Sequence, residues 1–337
     1  MATNRDEIDP DPKGMSRREF VQQALITGSV TLGSIGLAAK LWQRHHVVPG
    51  FEEKQGISLP SYRVDGSKVL PDLSVAHSLD RVTAIRAAVD NLGGMDRFIR
   101  KGDVVLIKPN IAFDRPPALA ATTHPDALRA VAQMALEAGA KEVMVADNPI
   151  NSPAGCFLKS GLEAVADELN LGLLYPESSA FESIQMEGEI LRHWPFFHRP
   201  FQKADKVIGL APCKDHNLCH ASMTMKNWYG LLGGRRNQFH QHIHSIISDF
   251  ALMIQPTLVI LDGMDVLMSN GPTGGRLSDV KRVNTVVAGT DMVAIDSYGF
   301  TRLLERDVEK LEYLHKAHRR GLGTMDWKDL KLKEVEA

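Results

Sequence analysis

Asp103-Val-Val-Leu-Ile107-Lys108-Pro109-Asn110, then Pro125 to Ala138 stopped by Gly139, then Glu142-Val-Met-Val-Ala-Asp147: these three runs decide the fold. The first and last are short, β-rich and apolar, bounded by Gly102 and Pro109 in one case, as a strand buried on both faces requires. The middle run has helical apolar spacing. Residues 103 to 147 therefore read as one β-α-β unit, the building block of a parallel sheet.

The alternation extends in both directions. Leu79 to Leu92 carries apolar residues at helical spacing, and Asp80 can cap its start. Gly155 to Asn170 reads as a helix and Leu171 to Leu174 as a short strand. Lys206 to Leu210, Leu258 to Leu261 and Thr285 to Ala288 read as further strands. His244 to Met253, Met292 to Leu304 and Val308 to His318 read as helices. The expected fold class is α/β, a mostly parallel sheet with helices on both faces, a Rossmann-like three-layer architecture. No Gly-x-Gly-x-x-Gly follows a strand, so the dinucleotide fingerprint is missing.

The 337 residues are 44% hydrophobic and 24% charged, ordinary for a chain with a sizeable core, and the formal net charge of -2 gives no basic footprint for nucleic acid. Ser16-Arg17-Arg18-Glu19-Phe20 precedes a weakly hydrophobic run from Ala24 to Ala39, the pattern of a twin-arginine export signal. The expected partner is the Tat translocase and the expected place periplasmic or otherwise exported. Gly36-Leu37-Ala38 offers a cleavage site, yet the run to Trp42 is long enough to stay as a membrane anchor. The expected division is residues 1–44 signal or anchor, 45–75 linker with prolines at 49, 60 and 71, and 76–337 the α/β domain.

Chemistry concentrates after the Lys206 strand. Cys213-Lys214-Asp215-His216, Cys219-His220 and Thr224-Met-Lys226-Asn227-Trp-Tyr-Gly230 lead to His240, His242 and His244, which gathers two of the three cysteines and five of the thirteen histidines. In open α/β sheets ligands bind at the carboxyl ends of strands. Lys108-Pro-Asn110, Asp147-Asn148, Cys213 to His216, Asp262-Gly263 and Gly289-Thr-Asp291 all follow strands, which suggests one shared cleft.

Lys108, Lys214 and Lys226, with Asn110, Asn227 and Asp262, are candidates to hold a small anionic substrate, and His216, His240 and Lys214 to carry proton transfer. Cys213, His216, Cys219, His220 and His240 are candidate ligands for a transition metal, zinc or iron before magnesium. Cys213 and Cys219 equally suit a disulfide or small buried residues, and the lysines equally suit solvated surface. Asp262, Asp291 and Asp296 suit helix caps as well as ligands.

Lys108-Pro-Asn110, Thr123-His124-Pro125, the Lys-x-His of Lys214 and His216, the Thr224 to Gly230 motif, His240, Asp262-Gly263, Gly271-Pro272-Thr-Gly274 and Asp291 to Asp296 together resemble the family catalogued as domain of unknown function 362, over roughly Lys101 to Gly299. The resemblance implies a shared pocket and no settled reaction. Some members carry ferredoxin-like cysteine repeats and are described as iron-sulfur proteins. Three cysteines cannot supply an all-cysteine four-iron cluster. Lys-Asp-His also departs from the more usual Lys-Thr-His.

The expected functions are an exported enzyme that uses a metal or other cofactor on a small anionic substrate, an accessory subunit of a membrane redox complex, or a small-anion binding protein without turnover.

Overall fold

The computed structural model describes residues 56–64, 66 and 69–337; the expected signal at 1–44 and the first part of the expected linker lie outside the described residues. The strands are β1 (Leu73–His77), β2 (Val104–Lys108), β3 (Glu142–Ala146), β4 (Gly172–Leu174), β5 (Phe181–Gln185), β6 (His193–Phe197), β7 (Lys206–His216), β8 (His220–Ser222), β9 (Leu258–Leu267), β10 (Val280–Gly289) and β11 (Leu332–Glu336). The α-helices are α1 (Arg81–Asn91), α2 (Pro125–Glu137), α3 (Pro153–Ser160), α4 (Leu162–Glu168), α5 (Thr224–Asn227), α6 (Ile243–Met253), α7 (Met292–Tyr298) and α8 (Glu312–Arg319).

One sheet runs β11-β1-β10-β9-β7-β2-β3-β4, with β8 turned back on β7. The pairs from β9 through β4 are parallel, whereas β10 is antiparallel to both neighbours. Alternate residues of the central strands enter two different cores. Val105, Ile107, Ile208 and Ile260 pack with α1, α2, α3 and α4; Leu106, Val207, Val259 and Leu261 pack with α6, α7 and α8. That is the expected α/β three-layer arrangement, built because each strand is apolar on both faces.

Differences from the sequence reading have local causes. Gly161 adopts φ 77 and divides the expected helix 155–170 into α3 and α4. β7 and β9 run well past the last residue of their apolar cores, and β10 is antiparallel, which its composition does not betray. His240, His242 and His244, spaced as on a strand, lie instead on a 3-10 turn (Arg236–His242) and the start of α6.

Residues 56–64, in the stretch expected as linker, pack on the domain: Ile57 bridges Ile184, and the buried Tyr62 donates its N–H to Gln255 O. β1 begins at Leu73, ahead of the boundary expected at 76, and inserts between β10 and β11. Among the described residues no helix is long and apolar enough to cross a membrane.

Candidate active site

β2, β3 and β7 are adjacent and parallel, so Lys108, Asp147 and Lys214 leave the sheet at one edge. A cavity of about 270 Å³ opens there, lined by these three, by Asn110 and His216, and by Lys226, Asn227, Arg236 and His240 from the segment after β8. The sequence reading had counted five strand ends into one cleft. Three converge. Because β10 runs the other way, Asp291 sits at the opposite edge, where its carboxylate caps α7 through Val293 N and Ala294 N.

Asp262, expected to contact substrate, is a correction of the same kind. β9 continues beyond it, and its carboxylate is taken by the buried Arg81, whose Nε lies 3.0 Å away. It does not line the cavity.

The buried polar groups form a connected chain. Lys108 Nζ meets Asp147 Oδ1 at 2.7 Å and donates to Asn227 Oδ1 at 3.0 Å and Pro109 O at 2.5 Å. Asn110 Nδ2 donates to the same Asn227 oxygen at 3.2 Å, and Asn110 Oδ1 accepts from Lys214 Nζ at 3.0 Å. Thr123 holds Asn110 in place from both sides, accepting from Asn110 N through its hydroxyl and donating its own N–H to Asn110 O. Asp147 also accepts from Ile111 N and Asn148 N. The Lys-Pro-Asn, Thr-His-Pro and Lys-Asn motifs are thus one hydrogen-bonded unit.

Charge is unbalanced in this space. Lys108, Lys214, Lys226 and Arg236 face a single carboxylate, Asp147. Arg236 donates to the backbone carbonyls of Tyr229, Leu232, Asn148 and Pro149. Lys226 lies over the Tyr229 ring at 5.1 Å and forms no ion pair among the described residues. Burial pushes Lys108, Lys214 and Lys226 all below the ordinary lysine range, Lys214 furthest, with Lys226 adding repulsion.

His216 is buried, and its Nδ1 accepts from Leu218 N at 3.2 Å, which leaves the ring proton on Nε2. Burial, then Lys226 and Lys214, hold its pKa down to about 2, so it stays neutral. His240 stacks on Tyr229 with ring centroids 5.8 Å apart, and burial and Lys226 lower it as well.

The candidate metal ligands do not converge. Cys213 faces the other core, Cys219 donates to Ala221 O, and both are free, fully buried thiols. Burial drives both thiols upward, away from thiolate. His220 is exposed, with its ring toward His244. Only His216 and His240 reach the cavity, and among the described residues no three His, Cys, Asp or Glu side chains group as a metal site. The two imidazoles stand among four basic side chains.

Sequence reasoning missed the roles of Arg236, Tyr229 and Asp147. Arg236 follows Gly233-Gly234, and its orientation depends on carbonyls of residues far apart in the chain. Asp215, where the resembled family more usually has Thr, points away from the cavity and accepts from Gly271 N while pairing with Arg306 at 2.8 Å. It anchors the loop that puts Pro272 on the cavity wall.

Comparison with known proteins bears on this site. A thylakoid-associated protein of Synechocystis sp. (strain ATCC 27184 / PCC 6803 / Kazusa) is 27% identical over 257 residues, 72% of this chain and 75% of its own. Among solved structures, the lactate racemase apoprotein from Thermoanaerobacterium thermosaccharolyticum aligns at 14% identity and a TM-score of 0.41, and a Thermotoga maritima protein at 13% and 0.35. They cover 74% and 72% of this chain, which spans 60% and 59% of theirs. The sequence profile of one family matches residues 105–301, a span holding every residue of the cavity, and the chain belongs to that family, the domain of unknown function DUF362.

Proposed function

We propose that the protein is an enzyme acting on a small anionic substrate, a carboxylate or phosphate, bound in the cavity at the ends of β2, β3 and β7. The observation that carries it is that four basic side chains face one carboxylate around about 270 Å³. Concentrating like charges in a desolvated place costs stability unless a ligand neutralises them. Lys226 and Arg236, which lack carboxylate partners among the described residues, hold the anion, with Lys108 fixed behind them by Asp147. A neutral His216 with its proton on Nε2 serves as hydrogen-bond donor or proton carrier beside the reacting atoms.

The reading includes export of the chain by the twin-arginine segment at Arg17-Arg18. It assigns no role to a metal. A second reading, an accessory subunit at a membrane, has in its favour the thylakoid association in the cyanobacterial relative's name. Co-purification of a redox complex with tagged protein tests that one.

Thermal unfolding with inorganic phosphate and with lactate tests the main reading. An anion at about a hundred times its dissociation constant adds roughly 2.7 kcal/mol. The Lys226→Met protein, which keeps the stem and loses the charge, is expected to lose most of that gain. Equal gains in both proteins, or none in either, refute the site. Because anions favour charged lysines whose pKa values are lowered, affinity is expected to fall as pH rises, below the range where an ordinary lysine titrates.

A further inference from the structure

Lys214 differs from Lys108 in what it touches. Lys108 has a carboxylate at 2.7 Å. Lys214 donates to two neutral oxygens, Asn110 Oδ1 at 3.0 Å and Ala121 O at 2.5 Å, has the Phe113 ring 5.3 Å from its Nζ, and forms no ion pair among the described residues. The side chain is 1% exposed. An ammonium has three N–H donors, whereas a neutral amine has two and a lone pair. Two neutral acceptors therefore satisfy a neutral amine completely. The remaining tetrahedral position is free for the cavity, which Lys214 lines. Burial and the neighbouring Lys226 both favour this neutral form.

A buried, uncharged lysine next to other cations is an activated nucleophile toward carbonyl carbon. The same cavity supplies what such a reaction needs. His216 stands two residues along β7 and shares the cavity, with a proton on Nε2 available to a developing alkoxide. Lys226 and Arg236 hold an anionic group. We propose that Lys214 forms an imine with a small substrate that carries both a carbonyl and an anionic group, an oxo acid or a phosphorylated aldehyde; this rests on the anion-site reading above and names its substrate class.

The step balances without redox change. The Nζ lone pair adds to the carbonyl carbon, and the C=O π pair moves to oxygen, which accepts the hydrogen bond of His216. One nitrogen proton moves to that oxygen to give the carbinolamine. Oxygen then leaves as water with the second nitrogen proton, and uptake of one proton by nitrogen gives the iminium. Its single N–H remains for Asn110 or Ala121.

Reductive trapping tests it. The full-length protein is incubated near pH 7 with glyoxylate, pyruvate or glyceraldehyde 3-phosphate, then with borohydride, and its intact mass and tryptic peptides are measured. Surface lysines with ordinary pKa values near 10.4 are protonated under these conditions. The expected result is about one adduct per chain from at least one probe, with tryptic cleavage lost after Lys214. The adduct is expected to disappear in Lys214→Arg. The wild-type peptide map decides even where that variant fails to fold. Thermal unfolding with lactate and with inorganic phosphate, which have no reactive carbonyl, runs in parallel. If either stabilises the protein but no probe marks Lys214, the imine is overturned and the anion site stands. If no anion stabilises and no probe marks Lys214, both fall. Adducts spread over other lysines, at the same rate in Lys214→Arg, also overturn the imine.

Discussion

A Cβ at Gly230 would stand 2.0 Å from Asp147 Oδ1 and 3.0 Å from Lys108 Nζ, so the glycine that ends the Thr224 motif is where the backbone closes over a buried ion pair. Any side chain there displaces the carboxylate. The pair itself is worth testing by removing one end and then both. Asp147→Asn leaves Lys108 buried with no counter-charge, and breaking a buried pair from one side typically costs about 3–5 kcal/mol. Removing both charges in Asp147→Asn/Lys108→Met is expected to recover part of that loss, since a buried pair often contributes little beyond its own desolvation. Urea unfolding of the three proteins checks the order; a double variant no more stable than Asp147→Asn refutes it. At this scale Lys108, Asn110, Lys214, Lys226 and Asn227 were legible as candidates because strand ends and turn residues mark them. Asp262 looked the same in sequence and serves Arg81 instead, a partner that only the folded chain brings near.

Helix α5 is four residues long, too short to persist without tertiary anchors, yet it carries Lys226 and Asn227 into the cavity. Its anchor is Asp296 on α7, which accepts from Thr224 N at 2.8 Å, Thr224 Oγ1 at 2.5 Å and Met225 N at 3.1 Å. The Tyr313 hydroxyl of α8 donates to the same carboxylate at 3.3 Å. Asp296 is fully buried, and burial raises its pKa to about 7 against the pull of these donors. The unfolded value is near 3.9. Between about pH 4 and 7 the folded chain keeps a proton that the unfolded chain has released, so this group's contribution falls as pH rises and levels off above about 7. The slope is roughly 1.4 kcal/mol per pH unit at most. Asp296→Asn removes the titration; its stability is expected to decline less than the wild type's between pH 5 and pH 7.5. Equal declines in urea unfolding sink the assignment. The α7 helix was legible from its spacing, but that one of its polar residues holds another element was not, because caps and anchors use the same residue types.

The formal net charge of -2 says nothing of a cavity where basic side chains outnumber carboxylates four to one; composition averages over a surface that hides the imbalance. The three-layer sheet was legible because its central strands are apolar on both faces. The edge strand β11 and its neighbour β1 were not, since their identity comes from pairing. The proposed N-terminal signal is of a different kind, because on that proposal a translocase, not the fold, reads it. Arg17 and Arg18 lie in residues 1–44, whereas the cavity is lined by residues from Lys108 to Pro272, so changing the arginines leaves every cavity group in the chain. A twin-arginine passenger crosses the membrane after folding. Replacing Arg17 and Arg18 by lysine keeps charge but removes the guanidinium pair that the translocase distinguishes, and a lysine cannot supply a guanidinium's fork of donors. The variant is expected to accumulate in the cytoplasm with wild-type thermal stability and undiminished anion response, measured by fractionation followed by thermal unfolding. Unchanged distribution between compartments refutes twin-arginine export and leaves the cavity's chemistry where it stands, since no cavity group belongs to that segment.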